Sequence, residues 1–228
     1  MENIFIQRDT YRLCSEHLLQ HFSGTGATQV CKKREIIELS GNPAEYVYLI
    51  REGYIRQSFI DPNGSSMILF ILSPGNLFNE VTLLNRDRNC VVSTAHTNVS
   101  LQKIRAEEFW SHARFSQEAS WHVSRLISYK LRMTMALLYD LSFCRTEERL
   151  QNLLLRLCIQ IGERDGESIR VPVHITHEEL AQMIVASRST VSHLLKQFSR
   201  TGFVTIQSGF LVIHPPLLEK MPQGLSEV

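Results

Sequence analysis

The 228 residues are enough for two compact domains or one large one, and a 43% hydrophobic content supplies their cores, which excludes a disordered or fibrous chain. With 24 Lys plus Arg against 23 Asp plus Glu, total charge announces neither a nucleic acid nor an anionic membrane, so any basic surface has to be local. Cysteines at 14, 31, 90, 144 and 158 form no CxxC and no zinc-finger spacing, which excludes a disulfide-dense secreted module and favours a reducing cytoplasm. Met1-Glu2-Asn3 opens no basic-then-apolar leader, and no stretch approaches the roughly 20 apolar residues that span a bilayer. The expectation is a cytoplasmic chain with no membrane partner.

Three regimes follow in chain order. Residues 28–104 are β-like: Tyr46-Val47-Tyr48-Leu49-Ile50 and Tyr54-Ile55-Arg56-Gln57-Ser58-Phe59-Ile60 flank Glu52-Gly53, and Asp61-Pro62-Asn63-Gly64 separates the second run from Met67-Ile68-Leu69-Phe70-Ile71-Leu72. Ser73-Pro74-Gly75-Asn76 punctuates the next junction, and residues 90–94 and 99–104 read as two more strands. Short strands with turn signals between them predict a small barrel or sandwich.

Residues 107–142 contain no Gly or Pro and read as helix. Val123, Ile127, Leu131, Thr134, Leu138 and Leu141 recur at spacings of three and four, which puts them along one seam. A lone helix cannot bury such a seam, so it lies on its own barrel or pairs with the same helix of a second copy; a long helix has faces for both. Leu150, Leu153, Leu154, Leu157 and Ile161 then mark an amphipathic helix, followed by a polar loop over residues 162–168 and a short strand over 169–173.

Thr176 and Glu179 form a capping box, so a helix begins there, and Ser187 can cap a second helix over residues 188–200. Ala181 is small enough to let the two helices cross closely. Val191, Leu194, Leu195 and Phe198 turn the second helix inward, while Arg188, Ser189, Thr190, Ser192, His193, Lys196 and Arg200 occupy its other faces. Between residues 186 and 207 there are three Lys or Arg and no Asp or Glu, which is the local charge the totals conceal. Residues 203–206 and 210–213 make a hairpin across Gln207-Ser208-Gly209.

Helix, tight turn, basic helix and β-wing in this order predict a winged helix-turn-helix that reads DNA. At the start of the second helix, Arg188 can donate two hydrogen bonds to guanine, with Ser189, Ser192 and His193 near other base edges. Lys196 and Arg200 meet phosphates, and Thr190 and Thr176 complete the predicted DNA-binding set. The competing view of each is a solvated surface residue, and of the whole module a winged helix used for protein contacts.

The order and residues resemble the CRP/FNR superfamily from about residue 29 to 214. The resemblance rests on Gly53, Asn63-Gly64, Pro74-Gly75-Asn76-Leu77-Phe78 with Glu80, Phe143, Arg149 and residues 175–195. It implies an α+β chain: an N-terminal cyclic-nucleotide-binding-type β-roll (a jelly-roll barrel) over 1–106, a dimerisation helix and hinge over 107–144, and a winged helix-turn-helix over 145–228. It further implies a homodimer on two half-sites of double-stranded DNA, and contact with RNA polymerase, with residues 162–168 at the matching surface.

Departures from that pattern bear on the ligand. Where cyclic-nucleotide binders carry Arg-Ser for the phosphate this chain has Asn89-Cys90, and where they carry Gly-Glu it has Asn79-Glu80. A buried phosphate without that Arg has no counter-charge. Arg86 and Arg88 stand close by in sequence, and a shifted loop could restore the contact. Only Cys14 and Cys31 are available near the N-terminus, too few for an iron-sulfur cluster, and no His falls in residues 76–84, where the carbon-monoxide-sensing relative binds haem.

His96 and His112 read as core or surface residues and His174 and His177 as cap and surface residues, so no metal site is expected. What remains is a small-molecule effector of unknown identity, as in CprK-type sensors, lined by Asn79, Glu80, Asn89, Cys90 and Thr134. Cys14 or Cys31 as a redox switch, a haem-gated variant, and a regulatory subunit without DNA reading are the alternatives. No P-loop, GxSxG or HExxH occurs, and Gly24-Thr25-Gly26 lacks a third glycine, so no enzyme is expected. Val185 stands where relatives often place Gly, which predicts a turn of different local geometry, because a β-branched residue at positive φ is strained.

Overall fold

The computed structural model describes residues 8–219, excluding the side chains of residues 8–14 and 113–115. Its contacts divide it into a unit spanning Tyr11–Lys130 and a second containing the chain from Leu131 onward.

In the first unit, β1 (Ala27–Cys31), β3 (Tyr46–Glu52), β6 (Leu77–Phe78) and β8 (Val99–Arg105) make one antiparallel sheet in the order β1-β8-β3-β6. The other runs β2-β7-β4-β5, from β2 (Ile36–Glu38), β4 (Ile55–Ile60), β5 (Ser66–Leu72) and β7 (Val92–Ala95). Successive strands mostly switch sheets, which is the winding of a jelly roll. Cys31, Ile50, Ile55, Phe78 and Leu101 fill the interior, with Tyr48 stacked on Phe78 at 4.7 Å between ring centroids. Gly53 turns β3 into β4 at φ 79°, and a Cβ there would lie 2.2 Å from the Asn98 carbonyl oxygen, so no other residue fits.

Two helices of this unit are absent from the sequence expectation. α1 (Arg8–His21) precedes the roll, anchored by the buried Leu18 and, just past its end, Phe22. α2 (Glu80–Asn85) is a short insertion after β6. The helix expected over 107–142 is two: α3 (Ala106–Phe115) and α4 (Gln117–Phe143). Ser116 breaks them at φ −124°, ψ 108°, and its Oγ accepts from the Ala119 N–H at 3.1 Å, capping α4.

The predicted seam along α4 does not have one environment. Val123 is buried and Ile127 half-buried, whereas Leu131, Thr134, Met135 and Leu138 are exposed and Leu141 is half-buried. Leu131 and Leu138 keep 60% and 64% of their surface in this single chain, too much for residues packed on their own chain.

In the second unit, Asp140 of α4 is buried and pairs with Arg156 of α5 (Thr146–Ile161), while Asn152 donates to the same carboxylate at 2.7 Å. The expected loop over 162–168 is instead a hairpin of β9 (Glu163–Asp165) and β10 (Ser168–Arg170), because Gly166 at φ 63° permits a tight reversal between Asp165 and Ser168. These strands join β11 (Val204–Gln207) and β12 (Phe210–Ile213) in one sheet, order β11-β12-β10-β9. α6 (His177–Ile184), α7 (Arg188–Arg200) and a short α8 (Pro215–Leu218) complete the unit. No helix among the described residues is long and apolar enough to cross a membrane.

Candidate nucleic-acid interface and sensory site

The reading head is set by its caps. Thr176 Oγ1 accepts from the Glu179 N–H at 3.2 Å while Glu179 accepts from the Thr176 N–H at 2.9 Å, which starts α6. Ser187 Oγ accepts from the Thr190 N–H at 3.1 Å and starts α7. Between them Val185 adopts φ 53°, ψ 61°, and Ala186 N–H returns to the Ala181 carbonyl at 3.0 Å. The turn therefore keeps the left-handed geometry that Val was expected to avoid. The correction has a physical cause: closing α6 by this hydrogen bond demands a left-handed residue at that position, whatever its side chain.

Leu180, Ala181 and Ile184 of α6 and Val191, Leu194, Leu195 and Phe198 of α7 are buried. Arg188, Ser189, Thr190, His193, Lys196 and Arg200 are exposed on α7. Among the described residues no hydrogen bond or ion pair engages the side chains of Arg188, His193, Lys196 or Arg200. Ser189 and Thr190 hydroxyls lie 2.8 and 2.7 Å from Ser187 Oγ, and Ser192 Oγ is 2.8 Å from His177 Nδ1. His177 thus spans α6 and α7. His174 lies instead by the wing, at 6.5 Å from the Phe210 ring. The wing tip is Ser208-Gly209, at φ 50° and 85°, the two-residue turn whose twist matches its strands.

In the roll, Asn79, Glu80 and Asn89 are all buried. Asn89 Nδ2 donates to Asn79 Oδ1 at 3.3 Å. Glu80 is engaged by a residue the sequence reading did not single out: Lys130 Nζ reaches its carboxylate at 2.7 Å and the Leu77 carbonyl at 2.6 Å. Lys130 continues the helical stripe of His122 and Leu126 at four-residue steps, which was the available signal. Arg86 and Arg88 are exposed, and Arg88 Nη1 donates to the Gly41 carbonyl at 2.8 Å. Cys90 is exposed, and Thr134 is exposed on the second unit. Cys31 is buried, and that burial raises its thiol pKa, which disfavours the reactive thiolate; the side chain of Cys14 lies outside the described residues.

A strand-wound roll followed by a long helix and a capped, cationic helix beside a β-wing defines a class, the sensory regulators that read DNA. Two family models match: a cyclic nucleotide-binding domain over residues 28–113 and a Crp-like helix-turn-helix domain over residues 148–221. The chain is 28% identical over 173 residues to the CRP-like cAMP-activated global transcriptional regulator of Mycobacterium tuberculosis, covering 76% of this chain and 77% of that one.

In fold it is similar to the c-di-GMP-responsive global regulator CLP of Xanthomonas campestris, with a TM-score of 0.71 at 17% identity over 88% of this chain and 99% of that one. A CooA mutant from Carboxydothermus hydrogenoformans gives 0.72 at 19% identity over 90% and 88%. The chain thus carries the domain pair of a CRP/FNR-type DNA-binding transcription regulator, a cyclic nucleotide-binding domain followed by a Crp-like helix-turn-helix.

Proposed function

We propose that this regulator acts as a cytoplasmic homodimer on an operator of two half-sites, with α7 in the major groove and Arg188 pairing with a guanine. The observation that carries this reading is the set of exposed cations on α7, a helix whose start is capped by Ser187, with no partner among the described residues. Ser189, Thr190, Ser192 and His193 border the base edges, with Ser192 steered by His177. Lys196, Arg200 and Thr176 lie toward phosphates. The exposed stripe of Leu131, Met135 and Leu138 supports pairing of α4 with a second copy. The β9–β10 hairpin is the surface we assign to RNA polymerase.

The effector in this reading is a small molecule other than a cyclic nucleotide. Asn89 replaces the arginine that would hold a phosphate, and Glu80 is already neutralised by Lys130. The mechanism is a shift of the roll that alters α4 pairing and so the pose of the two heads; an effector biases it only by binding one pose better than the other.

A gel-shift titration tests the reading. Arg188→Ala should weaken operator binding by about 1 to 3 kcal/mol while leaving binding to random DNA nearly unchanged. Equal losses on both would move Arg188 to the phosphates, and salt-insensitive failure of the native protein to bind any DNA would favour a regulatory subunit without DNA reading. Native mass spectrometry with cyclic AMP and with c-di-GMP checks the effector class, since retention of either would refute it.

A further inference from the structure

Outside the roll interior and the reading head, the first unit gathers histidines where two helices meet. His17 and His21 stand four residues apart on α1, and Glu118 and His122 four residues apart on α4. Residues at that spacing share a helix face, so each helix offers a pair of donors. His17 Nδ1 lies 3.6 Å from Glu118 Oε1, and His122 Nε2 lies 4.0 Å from the same oxygen. One ligand atom from each of the three residues falls within 4.8 Å of the others. We propose that His17, Glu118 and His122 are the ligands of a divalent transition-metal ion that ties α1 to the beginning of α4.

Ligand type and spacing both favour this. Two imidazoles and a carboxylate suit zinc and its neighbours, whereas calcium and magnesium want oxygen donors alone. Around a four-coordinate ion with bonds of about 2.1 Å, ligand atoms stand roughly 3.4 Å apart, so the two histidine–carboxylate separations of 3.6 and 4.0 Å need only a small contraction and the remaining one closes as a ring turns. The His17 and His122 rings are stacked, 4.3 Å between centroids and 15° between planes. An ion must lie near the plane of each ring, so one ring has to turn. His17 can, because 43% of its side chain is exposed, while His122 is 10% exposed and fixed.

One further detail points to unmet coordination capacity: His21 Nε2 is buried with no hydrogen-bond partner among the described residues. With three protein ligands the fourth position falls to water or, after a rotamer change, to His21.

The test uses the full-length chain stripped with EDTA and titrated with Zn²⁺ by calorimetry and with Co²⁺ by visible absorbance. The expected result is one ion per chain, with the d–d bands of a nitrogen and oxygen site, and affinity at least about tenfold lower in His17→Ala and in Glu118→Gln. Both substitutions fall on exposed side chains, and circular dichroism verifies that each variant folds. Absence of stoichiometric binding, wild-type affinity in both variants, or a thiolate-to-cobalt charge-transfer band placing the ion on cysteine would each overturn the proposal.

Discussion

Val185 shows how a turn can override the preference of the residue in it. Left-handed geometry costs a non-glycine residue about 1 to 3 kcal/mol, and a β-branched side chain is among the worst placed to adopt it. The side chain is 52% exposed, so little packing is gained in return. Val185→Gly should therefore raise stability by about 1 kcal/mol in denaturant melts, after allowing for the greater freedom of glycine in the unfolded chain. A loss of stability would show that the Val side chain contributes more packing than its exposure indicates. The caps around it, Thr176 with Glu179 and Ser187, were legible because capping is local and its partners are three residues apart. Val185 was not, because the backbone bond that dictates its conformation belongs to the end of α6.

At the scale of elements, α4 carries different work along its length. Its first part buries Lys130 against Glu80 within the roll unit. Removing the amine leaves a buried carboxylate without a counter-charge, so Lys130→Met should cost about 3 to 5 kcal/mol in unfolding free energy, and adding Glu80→Gln should recover much of it. A double variant no more stable than the single would mean the pair is less coupled than its geometry shows.

Its second part exposes Leu131, Met135 and Leu138. Leu131→Glu with Leu138→Glu should yield monomers in sedimentation analysis and reduce operator affinity at least about tenfold; an unchanged dimer would move the interface elsewhere. The seam itself was readable from its spacing. Its division was not, since periodicity identifies an apolar face but not what covers each part of it. α1 escaped notice because its polar content masks a stripe only a few apolar residues wide, and the β9–β10 hairpin because its strands are three residues each and largely polar.

Across the whole molecule, composition separates roll, helix and reading head where the residue pattern changes, while contacts divide the chain within α4, after Lys130. The metal cluster was hidden for the same reason: its ligands belong to helices on opposite sides of the roll sequence. Two electrostatic features of the protein, the α7 cations and the Glu80–Lys130 pair, differ in their exposure to solvent ions. On the proposed dimer, Lys196 and Arg200 in each of two heads would make about four phosphate contacts, so operator affinity should fall on the order of 10²-fold between 50 and 200 mM salt, as read by fluorescence anisotropy. A flat response would exclude those contacts. The Glu80 and Lys130 charges, by contrast, are buried and cancel each other, so mobile ions screen them little. An effector site built on this already electroneutral pair would ask no counter-charge of its guest, so affinity for an uncharged effector should hold constant across the same range of ionic strength while the grip on DNA loosens.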